Sequence, residues 1–156
     1  MEGARPATPS DVPVLAELAA RALDELGPMR GGAVFSAREA RDGGSLEASL
    51  SADIDDEKTC VLAGTIDDTV IGYAVGRTEA LRDGSTLGVI TDLYVDDGAR
   101  SVGVGEAMMG ELLDWFRSQG CAGVDATALP GNRATKNFFE ESGFTARLLV
   151  MHHRLP

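Results

Sequence analysis

Cysteine is scarce in this sequence, with Cys60 and Cys121 as the only two among 156 residues. Both lie in apolar, strand-like stretches, which favours reduced, buried thiols over a disulfide. A metal site needs a cluster of ligands that the sequence brings together nowhere, so we expect no metal. No apolar run is long enough to cross a bilayer, and the N-terminus MEGARPATPSD lacks a signal peptide's apolar region. We therefore expect a cytosolic protein with no membrane partner.

Positive charge is also in short supply. The sequence has 14 Lys and Arg residues against 25 Asp and Glu residues, and its formal net charge is −11. Such an acidic protein is a poor match for the phosphates of nucleic acid, which we do not expect as a partner. The charge is compatible with electrostatic steering of a cationic amine substrate, and equally with a role in solubility alone. The length predicts one domain, residues 1–156, with a substantial core.

Apolar periodicity and turn residues predict a mixed α/β fold. The predicted elements are a strand over residues 4–9, a helix from Val12 to Leu26, strands Lys58–Ile66, Thr69–Leu81 and Thr86–Val95, a helix that begins near Val104 and stops at Gly120, a strand Cys121–Ala128, a helix that begins at Asn132 and ends at Gly143, and a strand Thr145–Leu155. Asp67-Asp68 is placed where a tight hairpin turn is needed. The first three long strands predict an antiparallel meander, and the strand–helix–strand unit that follows predicts one parallel crossover.

The segment between the first helix and the meander has weaker signals. Three glycines predict a loop over Gly27–Phe35. Ser36 and Glu39 have the spacing of a capping box, which predicts a second helix from Ser36. Gly43-Gly44 predicts a break or bend, with the helix resuming from Ser45 to about Ala52.

The stretch from Ile90 to Phe116 is the most informative. Strand alternation places Thr91, Leu93 and Val95 on one face, with Ile90, Asp92 and Tyr94 on the other. The chain then turns into a helix at Gly103 and Gly105, where free backbone N–H groups and the helix dipole favour an anion. Arg100 adds a planar set of donors. This pattern indicates a phosphate-binding turn, although an ordinary turn with glycines for close packing fits it as well.

Two common phosphate-binding motifs are excluded. A P-loop requires Lys after its last glycine, and no Lys follows Gly103 or Gly105. The dinucleotide motif G-x-G-x-x-G requires a third small residue where Met108 stands.

Two stretches of the sequence instead resemble the signatures of one enzyme family. Arg100-Ser101-Val102-Gly103-Val104-Gly105 resembles the R-x-x-G-x-G/A signature of the GNAT superfamily of N-acetyltransferases, and Leu93-Tyr94-Val95 resembles the strand ending before it. The run from Asn132 through Asn137 to Gly143-Phe144 resembles the family's second signature, a helix that begins at Asn and ends in Gly-Phe. The two signatures occur in the family's order and at its spacing.

The resemblance implies the GNAT fold, in which the strands on either side of the crossover helix splay apart and acetyl-CoA lies in the gap. Backbone groups of Leu93, Tyr94 and Val95 would hold the pantetheine arm. The pyrophosphate would bind the loop, which comprises Arg100 and the backbone N–H groups of Ser101, Val102, Gly103, Val104 and Gly105. Asn132 and Asn137 match positions that contact the cofactor in relatives, although a helix cap and a solvent-facing residue are their alternative roles. Met29, Arg30 and Phe35 become candidates for the acceptor side.

The resemblance also implies direct transfer of the acetyl group to an amine. Many relatives carry an acidic Tyr seven residues after the Asn of the second signature, where this sequence has Phe139. Asp92 and Asp125 are the candidate bases, with a structural carboxylate or a water chain as the alternatives. The predicted function is therefore an acetyl-CoA-dependent N-acetyltransferase that acts on a small-molecule or peptide amine.

Three further expectations remain open. A non-catalytic acyl-CoA-binding module is the main alternative function, since the usual acid is missing. A nucleotide-binding signalling domain would need a base-recognition motif that the sequence lacks. Only 12 residues follow Phe144, which leaves room for one strand where many relatives have two, so a homodimer that shares C-terminal strands is expected.

Overall fold

The computed structural model describes residues 1–100 and 102–156. Its helices and strands in chain order are β1 (Glu2–Pro6), α1 (Val12–Leu26), α2 (Gly32–Arg38), α3 (Leu46–Asp55), β2 (Thr59–Ile66), β3 (Thr69–Ala80), β4 (Thr86–Val95), α4 (Val104–Ser118), β5 (Gly123–Ala126) and α5 (Arg133–Glu141). None of these helices is both long enough and apolar enough to cross a membrane.

The strands form one five-stranded sheet in the order β1-β2-β3-β4-β5. The first four strands pair antiparallel, whereas β5 pairs parallel with β4 after the α4 crossover. Asp67 and Asp68 join β2 to β3 with φ angles of 47° and 69°, and two consecutive positive φ values are the mark of a type I′ hairpin turn. The predicted meander, hairpin and parallel crossover are confirmed.

Helices cover both faces of the sheet and form two apolar cores. On one face, Val104, Met108, Leu112 and Phe116 of α4 are fully buried against the strands. On the other face, α1 and α3 bury an apolar cluster that includes Leu15, Leu18, Leu50, Val61 and Val75. The stripe of apolar residues on each helix therefore faces the sheet, as the helical periodicity predicts.

The sheet surface beneath α4 carries glycines where the helix approaches it. A Cβ atom at Gly76 would lie 2.7 Å from the ring of Phe116, and one at Gly88 would lie 2.6 Å from the same ring. At Gly64 an added Cβ would lie 2.6 Å from Val104. Side chains at these positions would push α4 away, so the glycines fix the height of α4 above the sheet.

The segment between α1 and β2 differs from the prediction. The second helix begins at Gly32, not at Ser36, and Ser36 lies inside it. A Cβ at Gly32 would lie 2.1 Å from the carbonyl oxygen of Leu26, so this close approach to the end of α1 requires glycine. Gly31 precedes the helix with a φ of 82°. Tertiary packing at the glycine pair thus overrides the local capping signal.

The predicted last strand, Thr145–Leu155, is absent, and the described residues from 145 onward form no helix or strand. Leu148, Leu149, Val150 and Met151 are between 69% and 87% exposed. Their composition favours a strand, and the outer edge of β5 has no strand partner among the described residues, but this segment does not pair with that edge. The bounds of the two terminal strands also differ, since β1 begins and ends earlier than the predicted 4–9, at Glu2 and Pro6, and β5 is shorter than Cys121–Ala128, at Gly123–Ala126.

Candidate functional site

The ladder between β4 and β5 is interrupted halfway along β4. Parallel pairing runs from Leu87–Gly123 to Ile90–Ala126 and then stops. On its other side, β4 remains paired with β3 as far as Val95. From Thr91 onward, therefore, the edge of β4 that faces β5 has no strand partner, and its backbone hydrogen-bonding groups are available to another molecule. This gap is the predicted splay of the two strands.

A β-bulge lies at the point where the splay begins. Asp92 is opposite Val75 and Ile90 is opposite Gly76, so Thr91 is an extra residue in β4. The extra residue shifts the alternation of side chains. Ile90 packs in the α4 core together with Leu93 and Val95, and the prediction that placed Ile90 on the face of Asp92 and Tyr94 was wrong.

The splayed strands open into a cleft with a volume of about 690 Å³. Its walls are the end of β4, residues 127–135 after β5, the second half of α1, and the first turn of α4. Met29 and Phe35 also line the cleft, whereas Arg30 is exposed and lies outside its lining. The loop after β5 lies close to the turn after α1, since a Cβ at Gly131 would lie 3.4 Å from the backbone nitrogen of Arg30.

The N-terminus of α4 points into the gap region. Gly103 precedes the helix with a φ of 88°, a conformation that favours glycine, and the first helical hydrogen bond joins the N–H of Ala107 to the carbonyl of Gly103. Backbone N–H groups of the first turn thus lack helical partners. Gly105 lines the cleft, Val104 is buried in the core and Val102 is 43% exposed. Ser101, predicted as part of this loop, lies outside the described residues.

Arg100 lines the same region but is held by neighbouring side chains. Its Nε donates to the carbonyl oxygen of Val95 at 2.9 Å, and its two terminal nitrogens donate to Glu25 of α1 at 2.8 Å and 2.6 Å. The guanidinium carbon lies 5.2 Å from the ring centre of Tyr94, within cation–π range. The guanidinium hydrogen bonds lower the pKa of the Glu25 carboxyl group. Arg100 therefore links the turn before α4 to α1 in this structure.

Asp92 lies in a buried network of charged and polar groups. Arg41 donates to both of its carboxylate oxygens, at 3.2 Å and 2.9 Å, and the Tyr73 hydroxyl donates to it at 2.8 Å. Thr91 donates a further hydrogen bond at 2.7 Å. The side chains of Arg41 and Asp92 are only 9% and 11% exposed. Burial, together with the nearby Asp92 carboxylate, raises the pKa of Tyr73.

The same arginine also bonds side chains of α3. Arg41 donates to Ser49 at 2.6 Å and to Asp53 at 2.7 Å, both on α3. Asp92 accepts four hydrogen bonds from Arg41, Tyr73 and Thr91, which matches the roughly four lone-pair positions of a carboxylate. These contacts are typical of a structural carboxylate, the alternative to a catalytic base at this position.

Asp125 occupies a different place from Asp92. It pairs with Val89 in the ladder, bonds Arg147 of the C-terminal segment at 2.8 Å, and is not among the residues that line the cleft. The hydrogen bond from Arg147 lowers the pKa of the Asp125 carboxyl group. The structure thus does not bring Asp125 and Asp92 into one site.

Some residues of the second signature line the cleft and others lie outside it. Asn132 lines the cleft and caps α5, because its Oδ1 accepts from the backbone N–H of Thr135 at 3.2 Å. Asn137 is exposed and outside the cleft lining. Phe139, at the position of the missing acid, lines the cleft and is only 7% exposed.

Sequence reasoning missed the partners of the candidate residues. Arg41 and Glu25 belong to no sequence motif. Arg41 lies 51 residues before its partner Asp92, and Glu25 lies 75 residues before its partner Arg100. Tyr73 faces Tyr94 across the β3–β4 ladder. The predicted strand alternation was the one signal that could have placed Tyr73 with Asp92 and Tyr94.

Solved structures similar to this chain include several acetyltransferases. An acetyltransferase of Trypanosoma brucei is 21% identical, with a TM-score of 0.70 over 99% of this chain and 100% of its own. A tetramutant of the BH1408 protein of Bacillus halodurans is 18% identical, with a TM-score of 0.81 over 97% of this chain and 99% of its own. AAC(6')-Iy, in complex with the bisubstrate analogue CoA-S-monomethyl-acetylneamine, is 16% identical, with a TM-score of 0.77 over 100% of this chain and 99% of its own.

A comparison with curated proteins found no match. At these low identities the structural similarity establishes the fold. The sequence model of the Acetyltransferase (GNAT) family, however, matches residues 29–144, which include the interrupted ladder, the α4 turn and α5. The chain therefore belongs to the GNAT acetyltransferase family.

Proposed function

We propose that the protein is a cytosolic N-acetyltransferase that transfers the acetyl group of acetyl-CoA directly to a primary amine of a small molecule or peptide. The observation that carries this proposal is that the β4–β5 ladder ends at Ile90–Ala126 and that the unpaired end of β4 and the first turn of α4 line one cleft. The gap offers unpaired backbone groups to an amide-containing chain, and the helix start offers N–H groups to a phosphate.

The residues of the gap would bind the donor as follows. The free edge of Leu93, Tyr94 and Val95 would bond the pantetheine amides, and the N–H groups from Val102 to Gly105 would bond the pyrophosphate. Asn132 lines the cleft beside them, whereas the exposed Asn137 has weaker support as a contact. Bound acetyl-CoA supplies a thioester whose carbonyl carbon is open to attack by an amine.

Proton transfer in this proposal relies on water. The attacking amine must lose a proton, but Asp92 is saturated with hydrogen bonds and Asp125 lies outside the cleft lining. A water chain is therefore better supported as the acceptor than either carboxylate, although both remain predictions. The leaving thiolate needs little help from an acid, because a thiol with a pKa near 8.5 leaves readily. Phe139 would exclude water from the cleft wall.

Phe139 also favours the second candidate function, a module that binds acyl-CoA without turning it over. In that case the cleft would bind acetyl-CoA, and no amine would stimulate release of the free thiol.

The homodimer is part of the proposal as well. β5 is the last strand of the sheet, and the apolar residues Leu148 to Met151 beyond it are exposed. A second copy would cover them by pairing the two C-terminal segments as strands. Light scattering at micromolar concentration should give twice the monomer mass, and Val150→Asp should shift it to the monomer. A wild-type monomer would contradict the dimer.

Calorimetry with acetyl-CoA tests the cofactor site, using two glycines as a matched pair. Gly103 and Gly120 have φ angles of 88° and 75°, so alanine strains both by roughly 1–2 kcal/mol. Gly103 immediately precedes the first turn of α4, which lines the cleft, whereas Gly120 follows the far end of α4. Gly103→Ala should weaken acetyl-CoA binding at least ten-fold and Gly120→Ala should leave it unchanged. Absence of wild-type binding would refute the proposal.

Turnover is measured by release of CoA in the presence of amines. Amine-stimulated release would support the transferase. Binding of acetyl-CoA without release for any amine of the panel would favour the binding module instead.

A further inference from the structure

The half of the cleft beside α1 and α2 has apolar walls. The second half of α1, the turn after it and α2 present aliphatic and aromatic side chains to the cleft: Ala19, Ala22, Leu23, Leu26, Met29 and Phe35. Leu23, Leu26, Met29 and Phe35 are partly exposed, so they have apolar surface that a bound molecule could cover. Removal of that surface from water would favour an apolar occupant.

The charged side chains in this half of the cleft are already compensated. Arg41 bonds Asp92 and Asp53, and Glu25 bonds Arg100. Among the described residues, the carboxylates of the cleft without an ion pair are Glu106 and Glu141, which are exposed on α4 and α5. A polycation needs several free carboxylates close together, because desolvated ammonium groups without partners are costly.

From these two observations we infer that the acceptor is a primary amine on an apolar body, such as an arylalkylamine, and not a polycation such as a polyamine or an aminoglycoside. The inference deepens the proposed function and rests on it. The apolar body would lie against Leu26, Met29 and Phe35, while the amine would point to the bulge of β4.

Binding and turnover of two probes test this inference. 2-Phenylethylamine represents the apolar class and spermidine the polycations, and each is titrated into protein saturated with CoA and then assayed with acetyl-CoA. We expect 2-phenylethylamine to bind at least ten-fold more tightly and to have at least ten-fold higher kcat/KM.

Neighbouring residues of α2 provide matched variants. Phe35 lines the cleft, whereas Val34 is 45% exposed and does not line it. Phe35→Glu should lower kcat/KM for 2-phenylethylamine at least ten-fold and raise it for spermidine. Val34→Glu adds the same charge to the same helix and should leave the ratio of the two substrates unchanged. Circular dichroism establishes that both variants remain folded.

The outcomes separate this inference from the proposed function. If acetyl-CoA binds and spermidine is the preferred substrate, the inference is overturned while the proposed function stands. The same holds if Val34→Glu changes the preference as much as Phe35→Glu does. If acetyl-CoA does not bind, the proposed function fails and this inference falls with it.

Discussion

Replacement of Arg41 by methionine tests the buried network that joins α3 to β4. Methionine keeps most of the side-chain volume but removes the guanidinium group that bonds Asp92 and Asp53. Two unit charges about 4 Å apart attract by about 4 kcal/mol at an effective dielectric constant of about 20. Removal of one partner of a buried pair typically costs about 3–5 kcal/mol. Asp92 keeps the Tyr73 and Thr91 hydrogen bonds, so we expect the lower end, about 3 kcal/mol of unfolding free energy.

Urea denaturation at pH 7, followed by circular dichroism, measures this loss. The control is Arg77→Met, because the Arg77–Glu79 pair is 47% and 46% exposed and surface pairs contribute only about 0–1 kcal/mol. Asp92→Asn in the Arg41→Met background removes the orphaned charge and should restore part of the stability. A loss below about 1 kcal/mol for Arg41→Met would refute the reasoning, since it would mean that the buried pair contributes no more than a surface pair.

Three further predictions concern Asp11, Cys60 and Glu25. Two hydrogen bonds from Arg5 lower the pKa of Asp11 from 3.8 to about 2, so Asp11→Asn should cost about 2 kcal/mol at pH 7. Because the pKa is depressed in the folded state, that contribution is present above pH 4 and disappears as the pH falls to 2, which denaturation at several pH values would reveal. Burial raises the pKa of Cys60 to about 11, so mass spectrometry should find Cys60 unmodified by a thiol reagent at pH 8 in native protein and modified after unfolding. Glu25→Gln frees Arg100 from a half-exposed pair and should tighten acetyl-CoA binding about two- to five-fold by calorimetry, whereas weaker binding would mean that Glu25 positions Arg100 for the cofactor.

Local sequence signals were sufficient where the determinants are local. Asp67-Asp68 tolerates the positive φ angles of its turn, and Gly103 permits the conformation that starts α4. The family signatures lie on such local features, which is why the α4 turn and α5 were predicted close to their observed bounds. Helix α1 was predicted with its observed ends, Val12 and Leu26, although its N-cap residue Asp11 makes no side-chain capping hydrogen bond.

The features that depend on distant contacts were not predictable in the same way. The bulge at Thr91 exists in relation to β3, so strand alternation alone placed Ile90 on the wrong face. The role of Asp92 depends on Arg41, whose position follows from the packing of α3 and not from the residues around it. The C-terminal segment has strand-like composition, but composition alone does not determine whether a segment pairs with the free edge of β5.

The end of the β4–β5 ladder also divides the molecule into parts of unequal local stability. β5 joins the sheet through only four residue pairs, and the residues after Ala126 pack on the rest of the chain chiefly through Phe138, Phe139 and Phe144 in the α4 core. Opening of this C-terminal part should therefore need less free energy than global unfolding, and its amides should exchange with solvent sooner. A molecule that bonds both β4 and the loop after β5 would raise the free energy of this local opening. Binding of such a molecule should therefore slow amide hydrogen exchange at Val124 and Asp125, although neither residue lines the cleft.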